Sequence, residues 1–319
     1  MTRANQADLA GAGLIVLAAI CFGTLGPASR FATEAGVEPL SLVTWRAALG
    51  ALFVVAFMAV RSVGGGAAAV PLARLPARDR WFMAGAAVAN TVLNLAMFIA
   101  FVRISIALAL LVFYLYPALV AVASVLRFGE RLDALRWGAL GLSLVGMALV
   151  VTGAGGLGEL DLVGVGLAFA AALSQMFYVL AARHGFGRVP GPQAAALTMG
   201  GATLLYLAIG VLTGQLALLA APLATSDALW PVVWAGLVGA GVPTMAFVVG
   251  IQRLGPSRAA ILATLEPVVG VLLAALVLGE RPTPLQFVGG ALILAAAVLL
   301  QLRPTAPAAE HEAIGAEAG

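Results

Sequence analysis

Glu266 is the residue with the clearest chemical potential in this sequence: it stands beside Pro267 inside an apolar run. Burying a carboxylate in such surroundings is costly enough that a function or a partner is the default expectation. Arg46, roughly a third of the way along another apolar run, is the only plausible cation at depth. Its long stem would also let it snorkel to an outer headgroup layer, and the sequence modestly favours that role. Asn90 and Asn94 share a helix face at i,i+4, and Gln175 and Tyr178 share another at i,i+3. Tyr114, Tyr116, Thr244 and Thr264 lie at comparable depth in their own runs. Taken one at a time, each fits interhelical hydrogen bonding. As a group they fit a lined cavity that orients a small polar or zwitterionic ligand.

Other chemistries find less support. An intramembrane enzyme needs several converging acids, bases or nucleophiles, yet His184 and His311 fall in a loop and a tail, leaving Glu266 nearly alone. The lone Cys21 offers neither a disulfide nor a metal-ligand spacing and reads as packing. Phosphate-cradling loops, zinc spacings and nucleotide motifs are absent, so no metal, cofactor or ATPase is expected. The pI of 9.6 does not imply nucleic acid, because all 17 basic residues are Arg and none cluster with interleaved aromatics.

The elements that must position these residues are membrane helices. At 62% hydrophobic and 10% charged, the chain is too apolar for a water-exposed surface. Apolar windows of about 20 residues, enough to cross a hydrocarbon core of about 30 Å, recur at 9–29, 40–60, 81–101, 104–126, 134–152, 160–182, 194–214, 229–250, 257–278 and 284–302. With both termini in the cytoplasm, thirteen of the 17 arginines fall on the inner side. Only Arg30, Arg46, Arg103 and Arg281 do not, which is a strong positive-inside signal.

The chain also contains itself twice. Arg103, Pro117 and Gly129-Glu130-Arg131 stand opposite Arg253, Pro267 and Gly279-Glu280-Arg281 at an offset of about 150. Residues 9–152 and 160–302 therefore read as two copies of a five-helix unit, between a cytoplasmic segment 1–8 and a disordered cytoplasmic tail 303–319. Five is odd, so the copies cross the membrane in opposite senses. The expected fold class is an all-α integral membrane protein with ten transmembrane helices in two inverted five-helix repeats, a recurrent transporter build with its site near the midplane. The two Gly-Glu pairs read as turns, with Glu at the start of the following helix. The pairs Gly11/Gly13, Gly138/Gly141, Gly164/Gly166 and Gly236/Gly239 read as places of close helix approach.

Leu265-Glu266-Pro267 with Leu278-Gly279-Glu280, the matching Leu115-Tyr116-Pro117 with Phe128-Gly129-Glu130, and Trp45-Arg46-Ala47-Ala48-Leu49 resemble the EamA-type transporters of the drug/metabolite transporter superfamily. The resemblance covers about Leu9 to Leu302 and implies a ten-helix bundle that moves small metabolites, often outward. Phe22-Gly23 stands where many members carry Trp-Gly, and Tyr116 stands where Glu266 would be matched. Together these features lead to an expected secondary transporter, an exporter of a small polar metabolite such as an amino acid, in a bacterial cytoplasmic membrane. Protons are the candidate coupling ion and Glu266 the residue linked to them. The alternatives are an intramembrane enzyme or a scaffold without transport; the scaffold would not require a carboxylate at depth.

Overall fold

The computed structural model describes residues 3–63, 69–128, 134–153, 161–185, 188–254, 259 and 262–301. Every regular element among them is helical. In chain order these are α1 (Arg3–Gly23), α2 (Leu25–Glu34), α3 (Pro39–Val63), α4 (Ala77–Arg103), α5 (Ile106–Phe113), α6 (Tyr116–Phe128), α7 (Ala134–Gly153) and α8 (Leu162–Gly185). There follow α9 (Gly191–Leu212), α10 (Ser226–Gly236), α11 (Val242–Leu254), α12 (Leu265–Leu278) and α13 (Pro284–Gln301). A π turn, Leu237–Gly241, joins α10 to α11.

Among the described residues seven segments are long and apolar enough to cross a bilayer, including Leu9–Glu34, Ile106–Ala123 and Ser226–Gly250, each of which runs through a break. Trp137–Gly153, Leu265–Leu278 and Pro284–Leu299 are shorter apolar helices in the three remaining expected windows. Outward-facing side chains are apolar: Leu52, Leu204, Leu212 and Leu276 are 65%, 70%, 85% and 81% exposed. Such a belt needs lipid rather than water against it.

Proline sets the breaks. The helix is interrupted at Thr24, at Tyr114-Leu115 and at Thr264, three residues ahead of Pro27, Pro117 and Pro267 in each case. Proline lacks the N–H that would bond the carbonyl four residues back, and its ring crowds that carbonyl, so the preceding turn opens. Glu266, near the middle of the apolar window 257–278, therefore sits in the first turn of α12 and not in the middle of one continuous helix. The positive end of the α12 dipole faces it there.

The two halves pack reciprocally. α1 packs on α11 and α4 on α8, while α3 packs on α9 and α7 on α13. In repeat order these are first on third, third on first, second on second and fifth on fifth, so exchanging the halves preserves the pattern. The fifth helices run antiparallel: Thr283 Oγ1 donates to the Gly153 carbonyl at 3.0 Å, while Gly146 faces Gly289 further along. A Cβ on either of those glycines would meet the other's carbonyl oxygen, so only glycine allows this approach. The sequence-derived glycine pairs fare unevenly. Gly164, Gly236 and Gly239 do meet Ile104, Leu49 and Leu25, but Gly13, Gly138, Gly141 and Gly166 have nothing near their Cβ positions. A G-x-x-G or G-x-G spacing cannot say which face is turned to lipid.

Glu280 departs from expectation in a similar way. Gly279 ends α12 in the left-handed region at φ 69°, as a helix C-terminal glycine does. Glu280 serves α5 of the other half, however, and not the start of α13. The Ile106 and Ala107 amides donate to its carboxylate at 2.8 and 3.2 Å. Glu130 and its turn lie outside the described residues. At the same end of the bundle, Arg103 Nε pairs with Asp161 at 2.8 Å. Asp161 also accepts from the Val163 and Gly164 amides at the head of α8. The Gly164 amide, then Arg103, then the Val163 amide hold its carboxyl below the usual carboxylate range against some desolvation.

Candidate functional site

The Pro-directed breaks and the π turn converge on one cavity of about 250 Å³ between the halves. The structure places Arg46, Asn90, Asn94, Tyr114, Tyr116, Gln175, Tyr178, Thr244 and Glu266 around it. Thr264 is the exception: it is the residue preceding α12, at the break itself, and does not line the cavity. Similar sequence depth did not translate into a similar facing because the break rotates the chain just before α12.

Arg46 does not snorkel. Its guanidinium turns inward from α3, donating to Asn94 Oδ1 at 2.7 Å and to the Gly239 carbonyl at 3.2 Å, and lies 5.8 Å from the Phe98 ring centroid. Gly239 belongs to the π turn, and the residue four positions on is Pro243, which has no N–H to offer that carbonyl. The carbonyl is thus left to receive Arg46. Asn94 in turn donates to the side chain of Asn90 at 2.9 Å and to its carbonyl at 2.8 Å, which orients the Asn94 oxygen toward Arg46. The Arg46 Nε is buried without a hydrogen-bond partner. A buried, ionised donor left unmet is expensive, and the cavity it lines is where an anionic group could meet it.

The opposite pole is Glu266. Half-buried, it lines the cavity beside Tyr114, and its charge and that of Arg46 are close enough to interact. Among the described residues no ion pair joins the two. Tyr114 also reaches the Ala263 carbonyl at 3.5 Å. Ala263 stands four residues before Pro267, so this too is a carbonyl freed by proline. Phe113, Tyr114 and Tyr116 form an aromatic group beside it, with centroids 5.4 to 5.8 Å apart. Gln175 and Tyr178 come from α8 of the second half, and Tyr178 hydrogen-bonds Thr198 of α9.

Sequence reasoning missed Phe98, Thr198, Met199 and the Gly239 carbonyl. The last had a signal: Gly236, Gly239 and Gly241 with Pro243 is a run poorly suited to a regular helix. Buried Tyr206 was also missed; its hydroxyl donates to the Thr91 carbonyl at 3.0 Å and holds α9 to α4 behind the cavity. Among the described residues no group of three or more His, Cys, Asp or Glu could hold a metal ion.

Comparison with known proteins places this architecture. The model of the EamA-like transporter family matches residues 9–152 and again 162–302. An "uncharacterized transporter" of Archaeoglobus fulgidus is 30% identical over 298 residues, covering 91% of this chain and 95% of that relative. Another, from Synechocystis sp., is 28% identical over 214 residues, covering 66% and 62%. A solved structure, described only as a protein, superposes with a TM-score of 0.62 at 22% identity over 93% of this chain and 97% of that one, which bears on the fold alone.

Proposed function

The chain belongs to the EamA-like transporter family, and from that premise we propose that it is a secondary transporter exporting a small zwitterionic metabolite of amino-acid type. It would work by alternating access between two inverted five-helix halves. Both termini would face the cytoplasm, in a bacterial cytoplasmic membrane crossed ten times. The observation that carries the reading is that one cavity has a cationic pole on the first half, Arg46, and an anionic pole on the second, Glu266. A carboxylate at the first and an ammonium at the second would satisfy both. The aromatic and apolar remainder of the wall excludes water. A halves-spanning site is also what rocking one half against the other would expose to each side in turn.

Glu266 is then the coupling residue. A proton and a substrate ammonium would compete for one carboxylate that meets water from alternate sides. The test is proton-gradient-driven transport in vesicles, using the substrate found by profiling the medium of overexpressing and deleted cells. Glu266→Gln should lose gradient-driven movement but retain exchange, and Glu266→Asp should keep partial activity with a shifted pH profile. An unchanged rate and profile in the Gln variant would leave Glu266 a packing residue. The topology has its own check: reporter fusions at Gly65, His184 and the C-terminus should report cytoplasm, and those at Gly36 and Asp227 the outside.

A further inference from the structure

A second cleft, of about 890 Å³, opens on the flank of the bundle, away from the cavity between the halves. α1 and α3 form its two sides and α11 its floor. On α3 the lining residues are Phe53, Phe57 and Arg61, one turn apart each; on α11 the row passes through Val249 and ends at Arg253. The walls are apolar except at one end, where Arg61 and Arg253 stand exposed. Arg61 lies 5.9 Å from the centroid of the Phe57 ring, so its stem continues the wall. From Val242 to Arg253 the floor is about 16 Å long at 1.5 Å per residue. That is about half of a hydrocarbon core of about 30 Å, or one leaflet.

The geometry points to a seat for one anionic phospholipid, its acyl chain along the cleft and its phosphate between Arg61 and Arg253. Both arginines lie at the end that arginine counting assigns to the cytoplasm. Topology alone accounts for arginines there, but not for an apolar cleft one leaflet long running up from between them. The counterpart position by exchange of the halves, between α8 and α9 over α4, is filled: α9 packs along α4, with Ala87 against Gly201. The cleft is thus particular to one flank. Gly13 on α1 lines it, and nothing lies near its Cβ position, so a larger side chain there has room to occupy the seat. The proposal depends on the bilayer and not on the substrate.

The experiment is native mass spectrometry of the full chain released from nanodiscs of equal parts phosphatidylglycerol and phosphatidylcholine. The parent should retain phosphatidylglycerol selectively. Each arginine near an anionic headgroup contributes about five-fold, so the pair supplies up to about twenty-five-fold. Arg61→Gln with Arg253→Gln should abolish the preference, while Arg61→Lys with Arg253→Lys should keep most of it. Gly13→Leu should lower retention of both lipids by filling the cleft. Equal retention of the two lipids by the parent, a preference that survives the Gln pair, or undiminished retention in Gly13→Leu would each overturn the proposal. So would a second copy of the chain, without lipid, in the released complex.

Discussion

Two of the three proline-directed breaks are repeat mates, Tyr114-Leu115-Tyr116-Pro117 and Thr264-Leu265-Glu266-Pro267, and these two carry different chemistry. Backbone is shared: an opened turn three residues before a proline, a new helix just ahead of it, and side chains delivered into the cavity from its first turn. What differs is one side chain, Tyr116 against Glu266. The repeat therefore preserves the device that exposes a residue to the cavity, while the residue exposed is free to diverge. The same holds for the second helices, where α3 presents Arg46 and α9 presents Thr198 and Met199. Each half contributes one charge to the cavity, of opposite sign, so the cavity has two poles because the repeats are no longer alike.

The strongest way to break this comparison is to remove its shared part. Pro117→Ala and Pro267→Ala should each relieve on the order of 3 kcal/mol of helix cost. Each should raise the thermal midpoint and slow turnover, by similar amounts. Thermal unfolding in detergent beside vesicle transport reads both, and an effect confined to one half would mean that the breaks are not equivalent. Next come the side chains that differ. Tyr114→Phe removes the hydroxyl that reaches the Ala263 carbonyl at the break beside Glu266 and should cost about 1 kcal/mol, about five-fold in apparent affinity. Tyr116→Phe removes a hydroxyl that holds no carbonyl of the break and should change affinity less. The smallest effect belongs to Asp161, outside the membrane. Its carboxyl is held low in the folded chain, so its stabilisation is present above the ordinary carboxylate range and lost as pH falls through the folded value. Asp161→Asn should lower the thermal midpoint slightly at neutral pH, and the difference from the parent should vanish in acid.

The repeat, the apolar helices and most of the polar residues of the cavity lining were legible because each rests on composition or on residues rare in this chain. Asn94, Gln175 and Glu266 stand out in a sequence of Leu and Ala. Facing was harder to read. Arg46 was a candidate site residue, yet snorkelling to headgroups was modestly favoured for it, because its acceptor, the Gly239 carbonyl, is offered only by the π turn ahead of Pro243. Thr264 was placed among the lining residues because a depth count ignores the rotation at the break. Glu280 was assigned to its own neighbouring helix, since no local pattern announces a cap supplied 174 positions away in sequence.

The central claim is that Arg46 reads a carboxylate and Glu266 an ammonium in one cavity. Once the substrate is known, exchange of labelled substrate by the parent, Arg46→Gln and Glu266→Gln can be compared against three competitors: the unlabelled substrate, its methyl ester and its N-acetyl form. The parent should discriminate against both derivatives. Arg46→Gln should lose its discrimination against the ester alone, and Glu266→Gln its discrimination against the N-acetyl form alone. If both variants fold and discriminate as the parent does, the two charges do not read the substrate and the account is wrong.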